Sequence, residues 1–328
     1  RIRVHARGHP LKITDLEQLT LAARQVGPVR IAVAAAHDPQ VLRAVDQAQR
    51  EGMVRATLVG DRAAIKAHAA QAGVDLGDTE IVQETDPGLA ARQVVGRARD
   101  GEADVVVKGQ VRTSALLGAV LNRDVGIRGR GLLSHVALFE LPGMDRLIYL
   151  SDSGVIVYPD VSQKLEIINN VVAVARQFGL DEPKVAILAA SETVHPKIPA
   201  SIDALALSKM AGQGWVQGAI VDGPLGLDLA ISPEAARMEE SDSPVAGLAD
   251  ILIVPNVEAG NIVAKGLLYF AGARMAGLVV GSKVPVIISS RADTTETRYL
   301  SLAMATVLVK SASNGRPIHR GDAEGPQE

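Results

Sequence analysis

The sequence predicts an α/β protein, because short β-branched runs alternate with longer helical patterns along almost all of its 328 residues. The runs near residues 30, 55 and 104 are almost wholly apolar, as parallel strands covered on both faces must be. Pro39, Asp61 and Pro87 open the segments between them, each a residue suited to a helix start. At roughly 100–200 residues per domain, this length suggests two domains or one large one.

Taken in order, residues 29–35 read as a strand, 39–51 as a helix and 55–59 as a strand. A helix at 61–72, a weaker strand at 81–83 and a helix at 87–100 follow. The strand at 104–107 and the helix at 113–122 continue the alternation. The rhythm then changes. Strands at 136–141 and 146–150 flank Pro142-Gly-Met-Asp145, a turn-rich tetrad that predicts a hairpin. Pro159 and Asp160 start a long helix with Leu165, Ile168, Val172 and Ala175 along one side. Strands at 185–189, 217–221 and 251–254 come next, with helices at 200–211 and 259–271. Strands at 278–280 and 286–288 precede a last helix at 294–310. The polar stretch 320–328 reads as a frayed tail. The chain opens at Arg1 without a methionine, which points to a start upstream.

Composition excludes several functions. One Trp, four Tyr and three Phe leave no stacking platforms for single-stranded nucleic acid, and a formal charge of −3 removes the basic footprint of a phosphate-backbone binder. No cysteine is present, so disulfides, thiolate metal sites and cysteine nucleophiles are ruled out. No apolar stretch is long enough for a transmembrane helix, and no signal core opens the chain, so a cytoplasmic protein is expected. Gly129-Arg-Gly131 lacks the third glycine of a dinucleotide fingerprint, and Gly260-Asn-Ile-Val-Ala-Lys265 has the wrong spacing for a P-loop. The histidines are scattered along the chain, and no metal site is expected.

Four clusters point to chemistry. Asp104-Val-Val-Val-Lys-Gly109 ends a buried strand in Lys108 and Gly109, then passes to Arg112-Thr-Ser114 at a helix start. Backbone N–H groups there, beside two cations, form a plausible phosphate seat. Leu150-Ser-Asp-Ser-Gly154 sets Asp152, two hydroxyls and a glycine after a strand. In Pro255-Asn-Val-Glu-Ala-Gly-Asn261, Glu258 and Asn261 taken singly read as helix caps. The sharpest cluster, Val286-Ile-Ile-Ser-Ser-Arg-Ala-Asp-Thr294, runs from a buried strand into Ser290, Arg291 and Asp293 and then into a helix, gathering a hydroxyl, a guanidinium and a carboxylate at one strand end. An arginine there can grip an anion bidentately. Its structural alternative is a cap by Ser290 or Asp293, with Arg291 on the surface.

These motifs in this order resemble the phosphate acetyltransferase/butyryltransferase family, and its butyryl branch most closely. The strongest pieces are Val107-Lys-Gly109, Leu133-Ser-His-Val-Ala-Leu-Phe-Glu140 and Leu150-Ser-Asp-Ser-Gly154. Val221-Asp-Gly-Pro224, Ser243-Pro-Val-Ala-Gly247, Pro255-Asn-Val-Glu-Ala-Gly-Asn261 and Ser290-Arg-Ala-Asp293 complete the set. The resemblance implies reversible transfer of an acetyl, propionyl or butyryl group between coenzyme A and inorganic phosphate, with no covalent acyl-enzyme. Its substrates are then acyl-CoA, phosphate and acyl phosphate, with coenzyme A a substrate and no permanently bound cofactor. It also implies two three-layer α/β/α domains like those of isocitrate and isopropylmalate dehydrogenases, an active site in the interdomain cleft, and a homodimer or larger homo-oligomer. The first domain is expected at 1–142 plus 276–328 and the second at 143–275.

Ser290, Arg291 and Asp293 are the expected catalytic residues. Lys108, Gly109, Arg112, Thr113, Arg128, Ser134, His135, Asp152, Ser153, Gly154, Glu258 and Asn261 are the expected substrate-binding ones. Two departures from the acetyl branch stand out. Its aspartate, seven residues after the serine and read there as the thiol base, is Thr297 here. Asp293 then takes that role, with Glu296 or Asp152 as substitutes. Its arginine in the helix after Lys-Gly aligns with Gly118, so Arg112 or Arg128 supplies the charge. The rival readings are a metal- and NAD-dependent decarboxylating dehydrogenase on the same fold, and a non-catalytic protein that binds CoA or acyl phosphate.

Overall fold

The computed structural model describes residues 12–129 and 131–313. The stretch 320–328, read from the sequence as a frayed tail, lies outside them. The chain runs through α1 (Leu16–Val26), β1 (Val29–Ala34), α2 (Pro39–Arg50), β2 (Val54–Gly60), α3 (Arg62–Ala72) and β3 (Glu80–Gln83). Then follow α4 (Pro87–Arg99), β4 (Val105–Lys108), α5 (Thr113–Val120), β5 (Ser134–Glu140), β6 (Ile148–Ser151) and α6 (Val161–Gln177). Next come β7 (Lys184–Leu188), α7 (Pro199–Gly212), β8 (Ile220–Leu225), α8 (Leu227–Ile231), α9 (Pro233–Met238) and β9 (Ile251–Ile253). The path ends with α10 (Val257–Tyr269), β10 (Arg274–Val280), β11 (Val286–Ile287) and α11 (Thr295–Ser313). The fold is α/β.

Two compact units divide the chain. The first holds residues 15–131 and returns at 274–313; the second holds 132–273 with the short segment before Asp15. The first change of unit precedes β5, eleven residues before the boundary suggested by the sequence. The physical reason is pairing: β5 is the antiparallel partner of β6, with Leu138 opposite Tyr149.

In the first unit the strand order is β3-β2-β1-β4-β11-β10. All neighbours are parallel except β10 with β11. Each residue of β4 is buried, as a strand covered on both faces requires. Asp38, Asp61 and Asp86 cap the helices that follow β1, β2 and β3, each side chain accepting from helical N–H groups. Helix α11 is buried on every side from Thr297 to Leu308. It packs against α1, α2 and β10, which makes the returning segment the centre of this unit's core.

The second unit orders its strands β5-β6-β9-β7-β8, parallel beyond the β5–β6 hairpin. Asp160 and Gln163 form a reciprocal capping box at the start of α6. Helices α1, α8 and α9 lie where the sequence reading placed none, although Asp15 caps α1 and Ser232 caps α9. Strand β8 runs to Leu225, through Asp222-Gly-Pro, where the sequence suggested a strand ending at 221. A Cβ at Gly223 would stand 2.7 Å from the carbonyl oxygen of Ile187, so the glycine lets β8 stay against β7. No helix among the described residues is long and apolar enough to cross a membrane.

Asp160→Ala removes the capping box and should destabilise the protein by about 1 kcal/mol, whereas Asp160→Asn should cost little. Urea titration of the two variants checks this, with a fall in midpoint at unchanged slope expected for the alanine alone.

Candidate functional site

Three neighbouring parallel strands of the first unit, β1, β4 and β11, end at the same edge of the sheet. Ala34 pairs with Lys108, and Val107 pairs with Ile287. The chain leaving β1 therefore delivers Asp38, the chain leaving β4 delivers Lys108 to Arg112, and the chain leaving β11 delivers Ser289, Ser290 and Arg291. Together with Arg298 from α11 these residues line a cavity of ≈ 60 Å³. That space holds a few waters or one small oxyanion.

Gly109 permits this convergence. Its N–H donates to the carbonyl of Ala34 at 2.9 Å, and the Gln110 N–H donates to that of Ala35 at 2.8 Å. A Cβ at position 109 would lie 2.4 Å from the Ala35 oxygen, which no side chain tolerates. Beyond the crossing, Arg112 occupies the N-cap of α5 without a side-chain hydrogen bond to the helix. The first N–H groups of α5 therefore take no acceptor from the side chain of their own N-cap residue.

The cations around the cavity are differently engaged. Lys108 is only 8% exposed, yet its Nζ makes two long contacts, to the carbonyls of Ser289 (3.4 Å) and Gly109 (3.5 Å). Burial, then the charges of Arg298 and Arg291, holds its ammonium below the usual lysine pKa, against the pull of Asp38 and Asp293. Arg298 is 5% exposed and donates to Ser289 Oγ (2.5 Å), to the Ser290 carbonyl (3.1 Å) and to the Asp293 carbonyl (3.4 Å). Among the described residues its ion-pair partner is Asp38, whose carboxylate stands 3.8 Å away. Arg291 and Arg112 are exposed, and among the described residues neither side chain takes part in a hydrogen bond or ion pair. They are the cations open to a ligand.

Asp293 Oδ2 accepts the Ser290 N–H at 2.7 Å, closing the turn that displays Arg291. It is not the helix cap. That role falls to Thr294, whose Oγ1 accepts the Thr297 N–H at 3.1 Å, so capping by Ser290 or Asp293 is corrected. Glu296 is paired with Arg274 at 2.8 Å on the surface. Thr113 is half-buried at the start of α5, and Arg128 is exposed beside an isolated bridge to Ser282, outside the cavity lining.

The remaining expected residues belong to the second unit. Asp152 is 2% exposed and its two oxygens accept the N–H groups of Gly154 (2.9 Å), Val155 (3.1 Å) and Ile156 (3.0 Å), which shapes the loop after β6. Ser153 Oγ lies 3.0 Å from His135 Nδ1, and Gly154 abuts the same ring. Ser134 is fully buried and its Oγ accepts from Asn170 at 2.9 Å. Neither Glu258 nor Asn261 caps α10. Asn256 does so through the Ala259 N–H, while Glu258 accepts from the Tyr158 hydroxyl at 2.7 Å and Asn261 is exposed. Gly260 presses this helix onto the loop, since a Cβ there would stand 3.0 Å from the Asp152 carbonyl oxygen.

Asp38, Gln110, Ser289 and Arg298 line the cavity without having been singled out from the sequence. The available signal for Arg298 was its place at the head of an almost continuous apolar run, Tyr299 to Leu308, in a helix with no polar face.

An α/β framework with exposed cations at the carboxyl edge of a parallel sheet defines a protein that binds an anionic ligand. The phosphate acetyl/butaryl transferase family matches residues 16–92 and 86–306, and the chain belongs to that family of acyltransferases. It is 41% identical to a phosphate butyryltransferase of Clostridium acetobutylicum over 296 residues, 90% of this chain and 98% of that protein. A crystal structure of a branched-chain phosphotransacylase from Enterococcus faecalis superposes with TM-score 0.75 at 31% identity, covering 86% of this chain and 99% of that one. A 4-hydroxythreonine-4-phosphate dehydrogenase of Klebsiella pneumoniae shares the fold alone, with TM-score 0.52 at 13% identity over 86% of this chain and 100% of the other.

Gly109→Ala should destabilise the first unit by about 1–3 kcal/mol, the usual range for overpacking. Its denaturation midpoint should fall while Gly96→Ala, in α4 where a Cβ meets nothing within 4 Å, does not lower it; equal folding of Gly109→Ala and wild type would show that the β4 turn yields easily.

Proposed function

We propose that the protein catalyses acyl-CoA + phosphate ⇌ acyl phosphate + CoA for short acyl chains, with the anion held at the carboxyl edge of β1, β4 and β11. The observation that supports this reading most is the unequal engagement of the cations. Among the described residues Arg291 and Arg112 have unoccupied guanidinium groups and Lys108 an incompletely bonded ammonium, and the start of α5 lacks a side-chain cap.

In the direction of thioester formation, the CoA thiol loses its proton to the Asp293 carboxylate as sulfur attacks the acyl carbonyl. The carbonyl oxygen takes up the electron pair, and Arg291 stabilises that oxyanion. The pair then returns, the bond to the phosphate oxygen breaks, and Lys108, Arg112 and the α5 N-terminus receive the departing phosphate. In reverse, phosphate attacks the thioester and Asp293 returns the proton to the thiolate. Ser290 is assigned a hydrogen bond to the reacting phosphate or carbonyl oxygen. Asp152 is assigned to loop geometry and not to proton transfer, since three N–H groups already engage its oxygens. His135, Glu258 and Asn261 are assigned to substrate binding, while Ser134 and Ser153, buried and already hydrogen-bonded, and Gly154 are assigned with Asp152 to the shape of the loop. The reaction needs no permanently bound cofactor in this reading, and we assign it to the cytoplasm as the compartment that fits its substrates.

A homodimer is part of the proposal. Glu258, Ile262 and Tyr269 share one face of α10, and Phe270 follows; Ile262 is 71%, Tyr269 67% and Phe270 94% exposed. Tyr158, hydrogen-bonded to Glu258, extends the apolar surface. Such a patch favours a second copy of the chain.

Thiol release from acetyl-, propionyl-, butyryl- and isobutyryl-CoA, with and without phosphate and after chelation, tests the reaction; phosphate-independent rates would defeat it. Arg291→Ala should lower kcat by about 10²–10³, and Arg291→Lys should restore part of the loss. Asp293→Asn preserves an acceptor for the Ser290 N–H but not the base. It should fold normally, lose activity most at neutral pH, and recover in part where the thiol, of pKa about 8.5, ionises unaided. Light scattering should find a dimer that Ile262→Asp with Phe270→Asp converts to monomer; a monomeric wild type would remove the dimer from the proposal.

A further inference from the structure

We infer that Arg298 is the positioning residue of the anion seat, clamping the 289–293 loop so that Arg291 is held toward the substrate. The inference rests on the transfer reaction proposed above. Its geometry is that of a clamp. One guanidinium nitrogen donates to the Ser289 hydroxyl, a second to the Ser290 carbonyl and Nε to the Asp293 carbonyl. Three successive features of the loop are thus tied to the first turn of α11, and only the third spacing is long. The loop's own closure, from the Ser290 N–H to Asp293, joins two residues of the loop to each other, and Lys108 adds a long contact to the Ser289 carbonyl.

A buried cation whose ion-pair partner stands 3.8 Å away is an expensive residue to keep. Asp38 is moreover shared: its Oδ1 accepts the N–H groups of Gln40 (2.8 Å) and Val41 (3.1 Å), and its Oδ2 accepts Gln110 Nε2 (3.0 Å). A hydrocarbon of similar size would fill the space at lower electrostatic cost. What it could not do is span the hydroxyl and two carbonyls, and neither could the single nitrogen of a lysine.

The second consequence is electrostatic. Arg298 from α11 and Arg291 from the loop disfavour the charge on Lys108, whereas Asp38 from the β1 end and Asp293 from the loop favour it. Arg112 lines the same cavity from the head of α5. Lys108 holds an anion only as ammonium, so phosphate affinity falls as pH rises through its lowered pKa. Removing Arg298 removes one lowering influence. The alkaline rise in the KM for phosphate must therefore move to higher pH.

Arg298→Lys and Arg298→Met, compared with wild type by kcat, phosphate KM from neutral to alkaline pH, and thermal melting, test the assignment. Both variants should lose about 10–10²-fold in kcat through misplacement of Arg291. In Arg298→Lys the charge remains, so the alkaline rise in phosphate KM should stay where it is in wild type; in Arg298→Met it should shift upward. Wild-type kcat in Arg298→Lys overturns the clamp, as does a loss of activity in both variants that merely follows the fraction unfolded. Should Arg298→Met fail to fold, the kcat of a normally melting Arg298→Lys decides. If wild type itself shows no phosphate-dependent thiol release, the reaction assignment fails instead. Phosphorus NMR titration with inorganic phosphate then still reads the seat, with weaker binding by Arg298→Lys expected and equal binding counting against the clamp.

Discussion

The chain leaving β4 crosses the end of β1 so closely that its backbone donates twice, from Gly109 to the Ala34 carbonyl and from Gln110 to that of Ala35. Every other feature of the site follows from that contact. It forces glycine at 109, and it sets Lys108 beside the β1 end. Ala35 meanwhile takes a left-handed φ of 49°, which turns the chain toward Asp38 and the start of α2. With β11 parallel to β4 on the other side, three chain exits converge where the strand carbonyl ends point.

The charges gathered there exceed what the protein itself pairs. Four cations line the cavity, against the Asp38 carboxylate, which is already engaged by α2 and Gln110. Such an arrangement is costly in an empty site and is relieved by an anion, which is how a binding site differs from a structural ion-pair network. The engagement is also graded by depth. Arg298 donates to three acceptors within the protein, Lys108 is buried and makes only two long contacts, and Arg291 and Arg112 are exposed at the rim. Deep groups hold the backbone in place, and outer groups remain available to bind.

The second unit shows a polar cluster of another kind. Asp152, placed like an acid at a strand end, gives its oxygens to three consecutive backbone N–H groups. Around it, the Ser151 hydroxyl donates to the His135 carbonyl at 2.7 Å, and Gly260 lets α10 rest on the loop. A motif that reads as reactive in one dimension is here internally satisfied. Nothing in the residues Ser-Asp-Ser-Gly distinguishes an acid facing solvent from one folded back on its own loop, because both use the same side chain after the same strand.

By itself the sequence determined the α/β alternation, since strand burial and helix caps act over a few residues and leave their marks locally. Lys108, Gly109, Arg112, Ser290, Arg291 and Asp293 were legible for the same reason, each lying at a strand end or helix start that the pattern locates. The hairpin after residue 134 was legible from its turn residues. What only the tertiary structure decided was the company these groups keep. Asp38 looked like a helix cap, and it is one; parallel pairing of β1 with β4 also brings it to the cavity. Arg298 lies in a helix far along the chain, and burial of that helix on all sides turns its guanidinium inward to the loop. Asp293 closes a turn and leaves the cap to Thr294, a choice set by where α11 packs. Local sequence fixes which groups stand at an element's end, but a partner can come from a distant segment, as Ser289 does for Lys108 and Asp38 for Arg298, and only strand order and helix packing bring those together.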